Sequence, residues 1–269
     1  MSTEFESSAE SIESQGDPLE SVTVVSKSDI GMRREENQDS FGIIETKTFK
    51  FYAVADGMGG VKGGAVASGL AIEVLKGVFE AHGALTEEHI VNAIQRANAR
   101  IFEEALSKPA LTGMGTTLVA VAFQGTDLYV ASVGDSRAYR IREGEIIQLT
   151  EDHTLVMELL RSGTISAEQA HNHPVSHMLT RSLGPSPDVE VDCWRAKEPP
   201  MRGDQYLMCS DGLYNLVGDH EIADILLTHP LENAVEILVE LANERGGTDN
   251  ITVVIAEVGE GYPSVDRET

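Results

Sequence analysis

The sequence predicts an α+β fold, a four-layer α/β/β/α sandwich with two central antiparallel sheets flanked by helix pairs. Three observations lead there. Strand-like runs are numerous and follow one another across tight turns such as Glu143-Gly144, which favours hairpins and antiparallel pairing. Helical periodicity is confined to two blocks, each long enough for two helices. Strands and helices do not alternate, which argues against a doubly wound parallel sheet. With 269 residues, 41% of them hydrophobic, the chain has the material for one large core.

Taken in order, residues 1–20 carry Glu4, Glu6, Glu10, Glu13, Asp17 and Glu20 and no Lys or Arg. Burial there cannot offset the entropy of ordering, so a disordered acidic tail is expected. The folded domain is expected over 21–258, with a short second tail over 259–269. Within it, 22–26, 41–44, 50–55, 117–123, 128–133, 137–141, 189–194, 205–209 and 251–257 are rich in Val, Ile and aromatic residues and read as strands. Several are almost continuously apolar, as expected where both faces of a sheet are covered. The first helix pair covers 65–81 and 87–106; in its second member Ile90, Ala93, Ile94, Ala97, Ile101 and Ala105 recur at helical spacing. The second pair covers 221–227 and 231–244, with Ala234, Ile237, Leu238 and Leu241 as its stripe and Gly246 as a stop. The polar stretch 151–184, with turn signals at Gly163 and Pro174, reads as a small excursion outside the sheets.

Charge narrows the function. Twenty Lys and Arg stand against 44 Asp and Glu, a net −24, which repels nucleic-acid phosphates and anionic lipid. The same excess makes clustered carboxylates and hard divalent cations worth seeking. Cys193 and Cys209 are too few for a disulfide framework and suit a reducing compartment. No apolar run is long enough to span a bilayer, and the N-terminus lacks the basic and apolar regions of a secretory signal. A cytoplasmic monomer that binds neither nucleic acid nor membrane is expected.

Four aspartates sit where strands end and turns begin: Asp39 in ENQDSFG, Asp56 in AVADGMGG, Asp211 in MCSDGLY and Asp249 in GGTDNITVV. A single Asp before Gly is an ordinary turn marker. Four of them, each capping an apolar strand in an acidic domain, point further. If they converge, their mutual repulsion calls for a cation, and an all-oxygen set, with a carbonyl such as that of Gly57, selects Mg²⁺ or Mn²⁺ over zinc or copper.

The segments RREENQD, ADGMGG, GMGTTLVAV, VGDSRAYR, LTRSLG, CSDGL and GGTDNITVVI occur in this order within 22–258. Together they resemble the PPM-type (protein phosphatase type-2C) family of metal-dependent serine/threonine phosphatases, in its bacterial branch. The resemblance implies two Mn²⁺ or Mg²⁺ ions between the sheets. Asp56 bridges them, the Gly57 carbonyl binds one, Asp211 and Asp249 hold the second, and Asp39 completes the shell through water. Asp135, with Asp211, matches a weaker third site; the plain alternative is a hairpin turn. Arg34, five residues before Asp39, matches the phosphate-binding arginine, with Arg33 beside it as the competing choice. The implied reaction is in-line attack on phosphoserine or phosphothreonine by a metal-bridging hydroxide, with Asp56, Asp211 and Arg34 as the residues that carry it. Substrates are then phosphorylated Ser/Thr proteins of a cognate kinase system. The alternative is a catalytically impaired module of the same fold that binds phosphoproteins without cleaving them.

Two positions depart from the family pattern. Gln38 replaces a glutamate found in many relatives, and Met58 replaces a histidine proposed as general acid in eukaryotic members; His153 is a conceivable substitute. The run His171-Asn172-His173-Pro174 with His177 lacks the spacing of a zinc site. It falls instead in the segment 155–179 that corresponds to the family's flap, expected beside the cleft. Arg181-Ser182-Leu183-Gly184 is expected to be structural, and both cysteines to lie in the core.

Overall fold

The computed structural model describes residues 17–81, 83–170 and 173–262, with backbone alone for 60–62. One sheet contains, in spatial order, β1 (Val22–Asp29), β11 (Ile251–Val258), β10 (Gln205–Cys209), β7 (Arg137–Arg142) and β8 (Glu145–Gln148). The other contains β2 (Asp39–Glu45), β3 (Lys50–Met58), β5 (Leu118–Gln124), β6 (Asp127–Val133) and β9 (Asp192–Arg195), with the two-residue β4 (Gly115–Thr116) paired to the end of β3. All these pairings are antiparallel.

The period of two along each strand divides its side chains between two cores. In β5, Val119, Val121 and Phe123 face the other sheet, where they meet Tyr206, Met208, Val254 and Ala256. Leu118, Ala120 and Ala122 face outward, onto α1 (Gly60–Phe79) and α2 (Glu87–Ser107). The alternate residues of β11, Ile251, Val253 and Ile255, face α6 (Asp219–Thr228) and α7 (Leu231–Glu244). Three apolar layers thus separate four layers of structure, and each fully buried Val, Leu, Ile or Phe side chain contributes roughly 1.5–3 kcal/mol. The near-continuous hydrophobicity of these strands has this cause: both faces are covered.

Several expectations need revision at their edges. The apolar run at 189–194 becomes a strand only from Asp192. Short elements without readable periodicity were missed: β4, β8, α3 (Leu155–Arg161), α4 (Ala167–Ala170) and α5 (Asp211–Tyr214). The tight turn at Glu143-Gly144 joins β7 to β8 with both residues at positive φ, 53° and 81°, the geometry that matches strand twist. Packed structure also extends past 21–258 at both ends. Leu19, 5% exposed, and Tyr262, 3% exposed, join the layer between the sheets. Pro18–Ser21 forms a single 3₁₀ turn where a disordered tail is expected, and residues 1–16 and 263–269 lie outside the described residues.

Candidate metal centre at one end of the sandwich

Register places the first two aspartates. Antiparallel pairing of β2 with β3 sets Asp39 directly opposite Asp56. At Asp56, β3 changes partner from β5 to β4, and the exposed backbone groups are taken up there. Its carbonyl accepts from the Thr117 N–H at 2.8 Å and the Thr116 hydroxyl at 2.8 Å, and its N–H donates to Thr117 Oγ1 at 3.0 Å. Gly57 follows because nothing larger fits. A β-carbon there would lie 2.2 Å from the Gly64 carbonyl oxygen and 2.4 Å from that of Gln38.

The other sheet supplies Asp211 and Asp249. Asp211 opens α5 just beyond β10, and Asp249 precedes β11. The two turns press together, so a β-carbon on Gly212 would meet the Asn250 carbonyl oxygen at 2.0 Å. Ser210 joins the sheets: its hydroxyl donates to Asp39 Oδ2 at 2.7 Å and accepts from the Thr252 N–H at 3.0 Å. Asn250 organises the arginine loop. Its Nδ2 donates to the Ile30 and Glu36 carbonyls at 2.9 and 3.1 Å, and its Oδ1 accepts from the Gln38 N–H at 2.8 Å.

These turns enclose a cleft of about 670 Å³ whose lining includes Arg34, Gln38, Asp56, Gly57, Met58, Asp135, His177, Leu179, Asp211 and Asp249. Arg34 is in the lining and Arg33 is not; Arg34 Nη2 lies 2.6 Å from Asp249 Oδ2. Asp39, 8% exposed, lies behind the wall. Asp135 is not on a hairpin. It sits on the connection from β6 to β7, which belong to different sheets, and the Tyr214 hydroxyl donates to its carbonyl at 3.0 Å.

The electrostatics are those of a buried acidic cluster offset in part by Arg34. Burial first, then Asp211 and Asp152, push the Asp135 carboxyl up to about 7. Asp56 is pushed well above the carboxylate range by burial and then by Asp39, Asp211, Asp135 and Asp249. Burial likewise raises Asp39 and Asp211, with neighbouring carboxylates adding to it. Asp39 Oδ1 and Asp211 Oδ1 are buried with no hydrogen-bond partner among the described residues. Buried carboxylate oxygens normally have partners, so these fit a hard cation. Among the described residues no three His, Cys, Asp or Glu side chains close into a ready cage. Asp249 is turned toward Arg34 and Asp39 toward Ser210.

Other sequence candidates fall elsewhere. His153 is 5% exposed and outside the cleft lining, which removes it as a proton donor at the site. Among the described residues His177 is the histidine that lines the cleft; His171 and Asn172 lie outside the described residues. Cys209 is buried, and burial pushes the Cys193 thiol up to about 12. Sequence reading passed over Ser210, Thr117 and Asn250. Their signal was faint: single polar residues at the edges of apolar strands, here 0%, 2% and 4% exposed.

The arrangement has counterparts. A family model described as protein phosphatase 2C matches residues 32–250. A serine/threonine phosphatase stp of Listeria welshimeri is 42% identical over 238 residues, covering 86% of this chain and 94% of that one. The Streptococcus agalactiae serine/threonine phosphatase structure superposes with a TM-score of 0.82 at 35% identity, over 88% of this chain and 99% of its own. The catalytic domain of the serine/threonine protein phosphatase PstP, solved in complex with two manganese ions, gives a TM-score of 0.78 at 36% identity, over 89% of this chain and 99% of that one. With the aspartate-lined cleft between two stacked antiparallel sheets, and a model match across most of its length, this chain belongs to the protein phosphatase 2C family.

Proposed function

We propose that this chain is a metal-dependent protein serine/threonine phosphatase that hydrolyses phosphoserine and phosphothreonine by direct attack of water at phosphorus. The observation that carries the reading is the ring of aspartates from both sheets, with orphaned oxygens on Asp39 and Asp211, around one cleft that also holds Arg34. Relatives named serine/threonine phosphatase, 42% identical over most of the chain, support it.

Asp56, the Gly57 carbonyl, Asp211 and Asp249 would hold two Mn²⁺ or Mg²⁺ ions, with Asp39 behind them. Asp135 and Asp211 would form a weaker third site. Bound there, divalent ions would supply positive charge beside the phosphate and lower the pKa of a water toward neutrality. The residues do the rest. Strand pairing holds Asp39 and Asp56 in one register, so charge is presented without reorganisation. Arg34 offers a forked set of donors suited to phosphate oxygens, and Asp249 orients it. Gln38 keeps its side chain at the cleft as a neutral hydrogen-bonding group. Met58 brings no titratable group to the cleft wall, so the leaving oxygen takes its proton from solvent or from another lining residue. Substrates would be phosphorylated proteins of a kinase system sharing its compartment, with the chain acting as a cytoplasmic monomer. Among the described residues no helix is long and apolar enough to cross a membrane.

The test is turnover of a phosphothreonine peptide with Mn²⁺, repeated in EDTA and with Asp56→Ala. Loss of roughly a thousandfold or more in kcat is expected in both cases, since the charge-stabilising term is usually the largest in such sites. Turnover that survives chelation sinks the reading.

A further inference from the structure

His153 is buried, at 5% exposure, outside the cleft, and joins three parts of the fold. Residue 153 and Gly134 form a reciprocal pair. The His153 N–H donates to the Gly134 carbonyl at 2.9 Å, and the Gly134 N–H donates to His153 Nδ1 at 3.0 Å. That contact assigns the ring proton to Nε2, which lies 3.2 Å from Asp192 Oδ2 on β9. Asp192 in turn accepts from Arg181 Nη1 at 2.8 Å. The His153 carbonyl accepts from the Thr180 N–H at 2.9 Å, so both ends of the excursion meet here. Residues 154 and 179 close it with an isolated bridge.

Gly134 adjoins Asp135 and cannot be replaced by a bulkier residue. Its φ is +101°, and a β-carbon would lie 2.7 Å from the Thr117 side chain. Glycine takes this backbone conformation without steric cost, and the imidazole supplies a side-chain acceptor for its N–H. On the far side of the same junction, the returning arm carries His177 and Leu179 into the cleft.

We propose that His153 is a positioning residue that ties the 154–179 excursion to the Gly134-Asp135 turn, keeping the His177 and Leu179 part of the cleft in register with the Asp135 carboxylate. Ligand-positioning partners of this kind commonly change affinity by about 10–100-fold when removed. The mechanical tie stands independently of the phosphatase reading; its effect on turnover rests on that reading.

Limited trypsin digestion reads the tie directly. Arg161, on α3 with a side chain 61% exposed, is the only Lys or Arg in 154–179. His153→Ala is expected to speed cutting after Arg161 by about tenfold, because cutting at the capped end of a folded helix requires local opening. His153→Asn, whose Oδ1 can still accept from Gly134 but does not reach Asp192, should fall between alanine and wild type. In the same preparations His153→Ala should raise half-saturating Mn²⁺ and the phosphopeptide KM roughly tenfold, with kcat at saturation nearly unchanged. Arg161 cutting and Mn²⁺ dependence that match wild type, even with a lowered Tm, would overturn the proposal, as would asparagine behaving no better than alanine. If alanine does not fold, the asparagine variant and Asp192→Ala carry the same test: unchanged Arg161 cutting in both refutes the tie. Faster cutting in a protein with no Mn²⁺-dependent turnover would keep the tie and discard the phosphatase reading.

Discussion

Two parts of the cleft are built on different supports. Asp39 and Asp56 sit on paired strands, and Asp211 and Asp249 abut a turn-to-turn contact that admits only glycine at 212. Their positions follow from backbone ladders and close packing beneath them. His177 and Leu179 sit on the 154–179 excursion, whose two ends bridge each other at 154 and 179 and which, among the described residues, is tied to the body at the His153 junction and by the Arg161–Glu151 ion pair. Strand ends fix geometry; an excursion with few ties offers adjustable shape. Chemistry that depends on charge placed to within a fraction of an ångström belongs on the first kind of support, and recognition of varied protein surfaces on the second.

Perturbing each support should therefore cost different things. The largest stability effect is expected from Gly57→Ala, whose β-carbon must displace two backbone carbonyls. Destabilisation on the order of 3 kcal/mol or more, with loss of Mn²⁺ binding by titration calorimetry, is expected. Asn250→Ala comes next. It removes three hydrogen bonds that hold 30–38 and should cost on the order of 2–3 kcal/mol in a denaturant melt. Arg34 rides on that loop, so phosphopeptide KM should rise more than kcat falls. A variant with unchanged KM would show that the loop does not place the arginine.

The acidic cluster adds a pH signature. Asp135, raised to about 7, and Asp39, Asp56 and Asp211, raised by burial and mutual repulsion, bind protons more tightly folded than unfolded. The stability this gives is fully present below the unfolded carboxyl pKa of about 4 and is lost as pH rises through the folded values. Metal-free protein should therefore melt at lower temperature as pH rises from about 5.5 to about 8, and saturating Mn²⁺ should flatten that slope. A metal-free Tm that climbs over this range would contradict it. Leu179→Ala is the smallest perturbation: a half-buried side chain on the excursion should cost about 1 kcal/mol or less. It should change peptide KM a few-fold and leave hydrolysis of p-nitrophenyl phosphate almost untouched. An equal loss on both substrates would erase the distinction between the two supports.

Much of this was legible in the linear chain. Near-continuous apolar runs marked strands covered on both faces, and two helical stripes marked the outer layers, because hydrophobic periodicity reports burial directly. The aspartates were legible because each is a charged residue at the end of an apolar strand, and the family pattern runs through all of them. The short elements β4, β8, α3, α4 and α5 were not, since each completes at most two helical turns or one strand pair. Asn250, Ser210 and His153 were equally silent as organisers: a polar residue in a motif does not announce its partners. For Asp135 a hairpin turn stood as the alternative to a third metal site because β6 and β7 are adjacent in sequence; only the sheet order shows that the chain crosses between layers there.

The amino-acid order by itself determined which segments are strands, which are helices and which acids stand at strand ends, because those properties follow from side-chain chemistry and short-range spacing. Tertiary structure alone decided that residues 56, 135, 211 and 249 line one cleft with Asp39 behind its wall, that Arg34 rather than Arg33 enters it, and that His153 serves the frame and not the chemistry. These depend on register and on contacts such as that between Arg34 and Asp249, 215 positions apart, and no local pattern encodes which distant partner a buried polar atom will find.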